Sequence, residues 1–188
     1  IKGMLTDIKE KLDSKSAHVK FEFKYFINKK APVSKMEFPV GYDCSFQGDL
    51  DGDDYKFILG VKVPITTLCP CSKEISKYSA HNQRTMVNVK VSYNENDMIW
   101  IEDLVDAIES CGSSQIYSIL KRSDEKYVTE KAYENPKFVE DVLRDVICFL
   151  RDNYKVLYYE AEVEAQESIH NHNAWAWQAE TKTVKTVV

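Results

Sequence analysis

Residues 19–27 read VKFEFKYFI, and apolar side chains alternate with charged ones along most of this segment. Alternation with a period of two is typical of a β-strand that is buried on one face. Working outward from this segment, similar patterns predict five further strands. They span residues 36–46, 55–67, 85–93, 156–166 and 174–184.

Counted from residues 19–27, the fourth strand is 85–93 and the fifth is 156–166, and between these two the apolar spacing becomes helical. The spacing predicts helices that start at Ile101, at Ser114 and at Asn135-Pro136, and the last has an apolar stripe along residues 138–150. A helix is also predicted over residues 4–12, and a turn over residues 48–52. Strands that flank a block of helices predict an α+β fold with an antiparallel sheet and helices on one face. The sheet edges favour assembly of subunits.

The chain has 188 residues and a net charge of −5, which argues against nucleic-acid binding because that function needs a basic surface. No apolar run is long enough to cross a membrane, and the first residues do not form a signal peptide, so we expect no membrane partner. Five cysteines, an odd number, favour a reducing compartment and predict a cytoplasmic protein. Because residue 1 is not methionine, we expect the N-terminus to be incomplete.

The loop between the third and fourth strands concentrates chemically reactive side chains, with the sequence TLCPCSKEIS at 67–76 and AHNQR at 80–84. Cys69 and Cys71 are too close for a zinc finger, but a catalytic metal site needs only three protein ligands and an open position. Cys69 and His81 could supply two of these ligands. The alternative is that both cysteines are small buried residues and His81 caps a helix or lies on the surface.

Two further segments are polar where the fold alone does not require it. Residues 167–174 read ESIHNHNA and separate two strands that a short turn could connect. Residues 121–130 read KRSDEKYVTE and lie between two predicted helices. Glu140 lies on an apolar helix, where a carboxylate is costly unless it is paired. Each feature also has a plain interpretation. Residues 167–174 could be an exposed turn, residues 121–130 a solvated charged stretch, and Glu140 a residue at a helix edge.

Together these motifs resemble the type IB GTP cyclohydrolase family. The resemblance rests on the two parts of the cysteine loop, the charged segment at 121–130, residues 135–141 (NPKFVED) and the histidine segment at 167–174. It extends from about the second strand to the C-terminus, with the motifs in the same order. The motifs are long and combine rare residues, so a chance match is improbable.

The resemblance implies the tunnelling fold, with antiparallel sheets, helices packed on one face, and two such units fused in one chain. It predicts one bimodular domain over residues 1–188, with halves at about 1–94 and 95–188. It also implies a homotetramer that has its active sites at subunit interfaces.

The resemblance further implies hydrolysis of GTP to 7,8-dihydroneopterin triphosphate and formate, the first step of folate biosynthesis. The motifs by themselves leave a cyclic-phosphate product open. A divalent metal ion, manganese, zinc or iron, is the implied cofactor. The implied residues are the metal ligands Cys69, His81 and Glu125, the catalytic residues Cys71, Glu167 and His170, and the substrate-binding residues Glu140, Lys121 and Arg122.

Two other classes of protein remain as alternatives to this hypothesis. One is a nitrile reductase of the same fold, which uses a nucleophilic cysteine and NADPH without a metal. The other is a non-enzymatic oligomer that binds a purine or holds a structural metal, with Cys71 or His172 as a fourth ligand. Dependence on metal separates the hydrolase from the reductase, and an open coordination position separates it from the structural site.

Overall fold

The computed structural model describes residues 1–153 and 155–182. None of the helices in this part of the chain is both long enough and apolar enough to cross a membrane. In chain order the elements are α1 (Lys2–Leu12), β1 (Ser16–Lys30), β2 (Glu37–Asp51), β3 (Asp54–Leu68), α2 (Pro70–Ile75), β4 (Asn82–Tyr93), α3 (Ile101–Ser110), β5 (Ser114–Gln115), α4 (Arg122–Glu134), α5 (Val139–Asp152), β6 (Val156–Ala165) and β7 (Ala174–Thr181).

The strands form one antiparallel sheet in the order β1-β2-β3-β4-β6-β7, and the short strand β5 pairs with β3. β2 lies beside β3 only as far as Lys62, and β5 pairs with β3 further along, at Ile65 and Thr66. Beyond Lys62, β5 therefore pairs with the edge of β3 that β2 no longer covers. The predicted α+β class with an antiparallel sheet is confirmed.

The core lies between one face of the sheet and the helices α1, α3 and α5, which pack against the strands. Strands β3, β4 and β6 alternate between buried and more exposed side chains, as the period of two requires. Helix α5 buries a stripe of five aliphatic residues in addition to Val139, and each contributes about 1.5–3 kcal/mol. The five residues are Val142, Leu143, Val146, Ile147 and Leu150.

The turn predicted over residues 48–52 is wrong at its start. Gly48 lies within β2 and pairs with Val19 of β1, and the chain turns only at Gly52 and Asp53. A Cβ atom at position 48 would lie 2.4 Å from Cγ2 of Ile1. Glycine is required there because α1 packs closely against the sheet, whereas the left-handed φ of 56° at Gly52 is the conformation that a tight turn needs.

Two predicted helices also differ from the structure. Residues 114–115 form strand β5 instead of a helix, because Gly112 packs directly on Ile65 and brings the chain alongside β3. The last helix begins at Val139, three residues after Pro136. Helix α4 was not predicted, because only Asp124 and Ala132 are buried along it and it has no apolar stripe to recognise.

The predicted halves, 1–94 and 95–188, share the single sheet, since β4 of the first half pairs with β6 of the second. The strand predicted over residues 174–184 corresponds to β7, which ends at Thr181. Residues 183 and 184 of that prediction lie outside the described residues.

Candidate active site

Strand pairing brings Cys69 and His81 together at one end of the sheet. Leu68 and Asn82 are the last paired residues of β3 and β4, so Cys69 and His81 are the next residues along each chain. The backbone N–H of Cys69 donates to the carbonyl of His81 at 3.1 Å, and the N–H of His81 donates to Oγ of Ser72 at 3.3 Å. The register of the hairpin, rather than proximity in sequence, places Cys69 beside His81.

Cys69 is the N-cap of the short helix α2, which Pro70 opens. Its Sγ atom accepts a hydrogen bond from the backbone N–H of Ser72 at 3.4 Å, and its side chain is partly buried. Cys71 is exposed on the same helix and does not line the cleft described below. The two cysteines predicted to share the site therefore have different environments, and the plain interpretation of both as buried residues is wrong.

The histidine segment reaches the same end of the sheet because β6 lies beside β4. The backbone N–H of Gln166 donates to the carbonyl of Arg84 at 2.9 Å, which extends the pairing of these strands by one step. Glu167 follows directly, and its side chain is largely buried at 12% exposure. His170 and His172 are exposed, and their rings stack with 5.3 Å between the centroids.

The start of α5 closes the third side of the site. The backbone N–H of Lys137 donates to the carbonyl of Leu68 at 3.0 Å, which holds this segment against the end of β3. Glu140 is exposed in the first turn of α5, so it does not carry the cost of a buried unpaired carboxylate. The amino group of Lys137 pairs with Asp145, and its side chain is mostly buried.

These three segments enclose a cleft of about 270 Å³. The structure therefore brings together five of the nine predicted site residues. The cleft is lined by the predicted residues Cys69, His81, Glu140, Glu167 and His170, and also by Gln83, Lys137 and His172.

Gln83 and Lys137 were not identified as site residues from the sequence. Gln83 has a detectable signal, because residues two apart on a strand share a face, and His81 lies two residues earlier. The Nδ1 atom of His81 lies 3.0 Å from Oε1 of Gln83, and Nε2 of Gln83 donates to Oε1 of Glu167 at 3.3 Å. Lys137 has no comparable signal, because its position depends on where α5 meets β3.

The remaining predicted residues, Glu125, Lys121 and Arg122, lie on or next to helix α4 and do not line this cleft. All three are exposed, and the carboxylate of Glu125 is 3.0 Å from the guanidinium of Arg122. The structure of a single chain thus does not bring Glu125 to Cys69 and His81. Its role as a ligand stays a prediction.

Asp124, next to Glu125, is fully buried and fixes the start of α4. Its carboxylate accepts hydrogen bonds from the backbone N–H groups of Val33, Ser34 and Lys121 at 2.8–2.9 Å. Burial alone raises the pKa of Asp124, but hydrogen bonds from Ser34, Lys121 and Val33 outweigh it and hold the pKa well below its usual value. Asp124 therefore ties helix α4 to the connection between β1 and β2.

The donor set at the cleft fits a divalent metal ion in part. A thiol sulfur and an imidazole nitrogen on adjoining strand ends are ligands that zinc and iron sites use. Within residues 1–153 and 155–182, however, no group of three or more histidine, cysteine and acidic side chains is arranged to hold a metal. Among the described residues, the cleft brings together two candidate ligands, Cys69 and His81, and a metal site would need at least one more from elsewhere.

A family model and individual relatives of this chain point to the same protein family. The family model described as type I GTP cyclohydrolase folE2 matches residues 1–176. A GTP cyclohydrolase FolE2 of Geotalea uraniireducens is 54% identical, over 94% of this chain and 64% of the relative. A GTP cyclohydrolase FolE2 of Thermosipho africanus is 52% identical, over 94% of this chain and 67% of the relative.

The chain thus spans 64% of the length of the Geotalea relative, which is less than two thirds. Among solved structures, the uricase of Arthrobacter globiformis superposes with a TM-score of 0.52 at 7% identity. That superposition covers 96% of this chain and 68% of the uricase. At this identity the likeness concerns the fold alone.

Proposed function

The chain belongs to the type I GTP cyclohydrolase FolE2 family, and we propose that it hydrolyses GTP to 7,8-dihydroneopterin triphosphate and formate, the first step of folate biosynthesis. Within that family we assign it to the metal-dependent type IB enzymes. The observation that carries the proposal is the meeting of Cys69 and His81 at the end of the β3–β4 hairpin, in a cleft that also contains Glu140, Glu167 and His170.

Cys69 and His81 would hold a divalent metal ion, with Glu125 as the third ligand. When bound, the ion supplies Lewis acidity that activates water for attack on C8 of the guanine. Water addition at C8 opens the imidazole ring, and a second water releases C8 as formate. The freed amine then condenses with a carbonyl of the rearranged ribose and releases one water, so the overall reaction consumes one water. A mixed set of sulfur, nitrogen and oxygen ligands is not diagnostic of one metal, and manganese, zinc and iron are the candidates.

The protein side chains have separate tasks in this reaction. Glu140 accepts hydrogen bonds from N1–H and the exocyclic amine of guanine, a charge-assisted pair that adenine cannot make. His170 transfers protons at the reacting ring, since the two imidazole nitrogens can accept a proton and donate one. Glu167 moves a proton during formamide hydrolysis, and Cys71 contacts the ring or donates a proton.

We also propose a homotetramer of tunnelling-fold subunits in the cytoplasm, with two fused units in each subunit and active sites at subunit interfaces. The exposure of Glu125, Lys121 and Arg122 outside the cleft supports this arrangement. A site that is completed between subunits would bring Glu125 to the metal, and Lys121 and Arg122 to the triphosphate.

The test is formate release from GTP by chelator-treated protein, with and without added manganese or zinc. We expect release only with metal, accompanied by a pterin that fluoresces after oxidation. Cys69→Ala and His81→Ala should each lower the rate by more than the roughly 10- to 100-fold that loss of an outer partner of a metal ligand costs, because each removes a ligand itself. Cys148→Ala, at an exposed cysteine on α5, is the matched control and should retain the native rate. The proposal would be refuted if formate were released at the same rate with and without metal, or if no formate were released with any metal.

A further inference from the structure

The side-chain amide of Gln83 lies between two groups of the cleft. Its Oε1 atom is 3.0 Å from Nδ1 of His81, and its Nε2 atom is 3.3 Å from Oε1 of Glu167. The second carboxylate oxygen of Glu167 lies 4.0 Å from the same Nδ1 atom. The three side chains thus form a connected row, although Glu167 is 84 residues away from Gln83 in the chain.

The direction of each hydrogen bond in this row follows from chemistry. A carboxylate only accepts hydrogen bonds, so the group of Gln83 that faces Glu167 is the NH₂ group. The carbonyl oxygen of the same amide then faces His81. Because that oxygen is also only an acceptor, Nδ1 of His81 has to carry the hydrogen. In the neutral imidazole this leaves the lone pair on Nε2.

The row is shielded from solvent and held by the backbone. The side chains of His81 and Glu167 are 16% and 12% exposed, so water competes little for these hydrogen bonds. His81 and Gln83 lie two residues apart and therefore share a face. Pairing of β4 with β6 at Thr85 and Ala165 brings the segment that contains Glu167 alongside.

We propose that Gln83 is a positioning residue that holds His81 in the Nδ1–H tautomer, so that Nε2 is available to a metal ion beside Cys69. Through its NH₂ group Gln83 also fixes the carboxylate of Glu167 relative to that histidine. Outer partners of this kind commonly set the orientation of a histidine ligand. That the bound group is a metal ion rests on the proposed function, whereas the tautomer of His81 is independent of it.

Nuclear magnetic resonance of protein with ¹⁵N-labelled histidine tests the tautomer without metal, substrate or turnover. The chain has four histidines, so His81→Asn identifies the His81 signals by their loss. In metal-free native protein at an alkaline pH we expect the hydrogen on Nδ1. Gln83→Leu removes both hydrogen bonds with little change in volume, and the hydrogen should move to Nε2, the tautomer that a free histidine side chain favours in water.

Two further variants separate positioning from a general effect on structure. Gln83→Glu keeps an oxygen that accepts from Nδ1, so the native tautomer should be restored, although the link to Glu167 is lost. Gln166→Leu is the matched control, because this exposed glutamine is adjacent to Glu167 and outside the row. It should leave the His81 signals unchanged.

Titration with cobalt(II) measures the consequence for metal binding, through the absorption band that a cobalt–thiolate bond produces. We expect Gln83→Leu to weaken cobalt binding about 10- to 100-fold, and Gln83→Glu to bind within a few fold of the native protein. Nε2–H at His81 in the native protein would overturn the inference. Native cobalt affinity in Gln83→Leu would do so as well.

The two proposals fail in different ways. If native His81 carries its hydrogen on Nδ1 and loses it in Gln83→Leu, but the native chain binds no cobalt, the positioning role of Gln83 stands. The metal-dependent activity is refuted if, in addition, no formate is released from GTP with manganese or zinc.

Discussion

Glu140 lies in the first turn of α5, exposed and facing the cleft that contains Cys69 and His81. If it anchors the guanine edge, Glu140→Gln removes the charge and places an NH₂ group opposite one of the two guanine donors. Hydrogen bonds to charged groups contribute about 1.5–3 kcal/mol, so we expect kcat/KM for GTP to fall roughly 10- to 150-fold. Steady-state kinetics would check this, with Glu134→Gln, at the exposed end of α4, as the control. An unchanged kcat/KM would contradict the assignment.

Replacing Asp124 should change the stability of the fold. Its pKa is lowered in the folded chain, so its contribution is complete above the unfolded-state pKa of about 3.9 and is lost as the pH falls below that value. Asp124→Asn should therefore unfold at a lower temperature than the native protein at pH 7. The difference should shrink in acid.

Thermal unfolding followed by circular dichroism at several pH values measures this difference. Asp53→Asn is the control, because Asp53 is exposed in the turn between β2 and β3. A gap between native and Asp124→Asn that widens in acid would show that the sign of the pKa shift is wrong.

At the scale of elements, helix α3 is joined to β1 and β2 by buried polar contacts. Glu109, with 3% of its side chain exposed, accepts from Lys29 at 2.9 Å and from the hydroxyl of Tyr42 at 2.5 Å. Burial, and then the hydrogen bond to Glu109, raise the pKa of Tyr42, so the hydroxyl remains protonated and donates. Lys29 also pairs with Asp106.

Removing one member of this group should destabilise the chain strongly. We expect Glu109→Leu to lower the free energy of unfolding by about 3 kcal/mol, because Lys29 and Tyr42 lose a buried partner. Urea unfolding measures the loss. Lys29→Met combined with Glu109→Leu should recover part of it.

The control for this experiment is Glu95→Leu, since the pair of Glu95 with Lys2 is exposed on both sides. Exposed pairs of this kind contribute at most about 1 kcal/mol. If Glu109→Leu costs no more than the control, the buried group does not hold α3 in place.

At the scale of the whole molecule, the helices cover one face of the sheet and leave the other face open. β7 ends the order of described strands, and on the open face it presents Trp175 and Trp177, which are 59% and 48% exposed. They lie opposite Glu164 and Glu162 of β6. Large exposed aromatic side chains at a sheet edge are typical of subunit interfaces.

If this surface takes part in the proposed assembly, Trp177→Lys should raise the dissociation constant of the oligomer roughly 30-fold or more. The estimate follows from the loss of about 2 kcal/mol when an aromatic anchor is removed. Sedimentation velocity over a range of concentrations measures the change. Trp100→Lys, at the exposed N-cap of α3, is the control. Native association in Trp177→Lys would place the interface elsewhere.

The sequence by itself determined the features that depend on neighbouring residues. Alternation along residues 19–27 predicted β1, and the apolar stripe of α5 predicted that helix, because burial of one face imposes its period on the residues. The motif residues also indicated the chemistry of the site, since Cys69, His81 and Glu167 are groups of known reactivity. Family resemblance added their proposed roles.

Only the tertiary structure decided which of these residues meet. Helix α4 is polar along most of its length and is held by Asp124 against the β1–β2 connection, which no local pattern records. Gly48 is not part of a turn; it lies in β2 where α1 packs closely against the strand. The row from His81 through Gln83 to Glu167 depends on the register of β4 against β6. Contacts between distant residues follow from strand pairing and packing, and a local pattern carries no information about either.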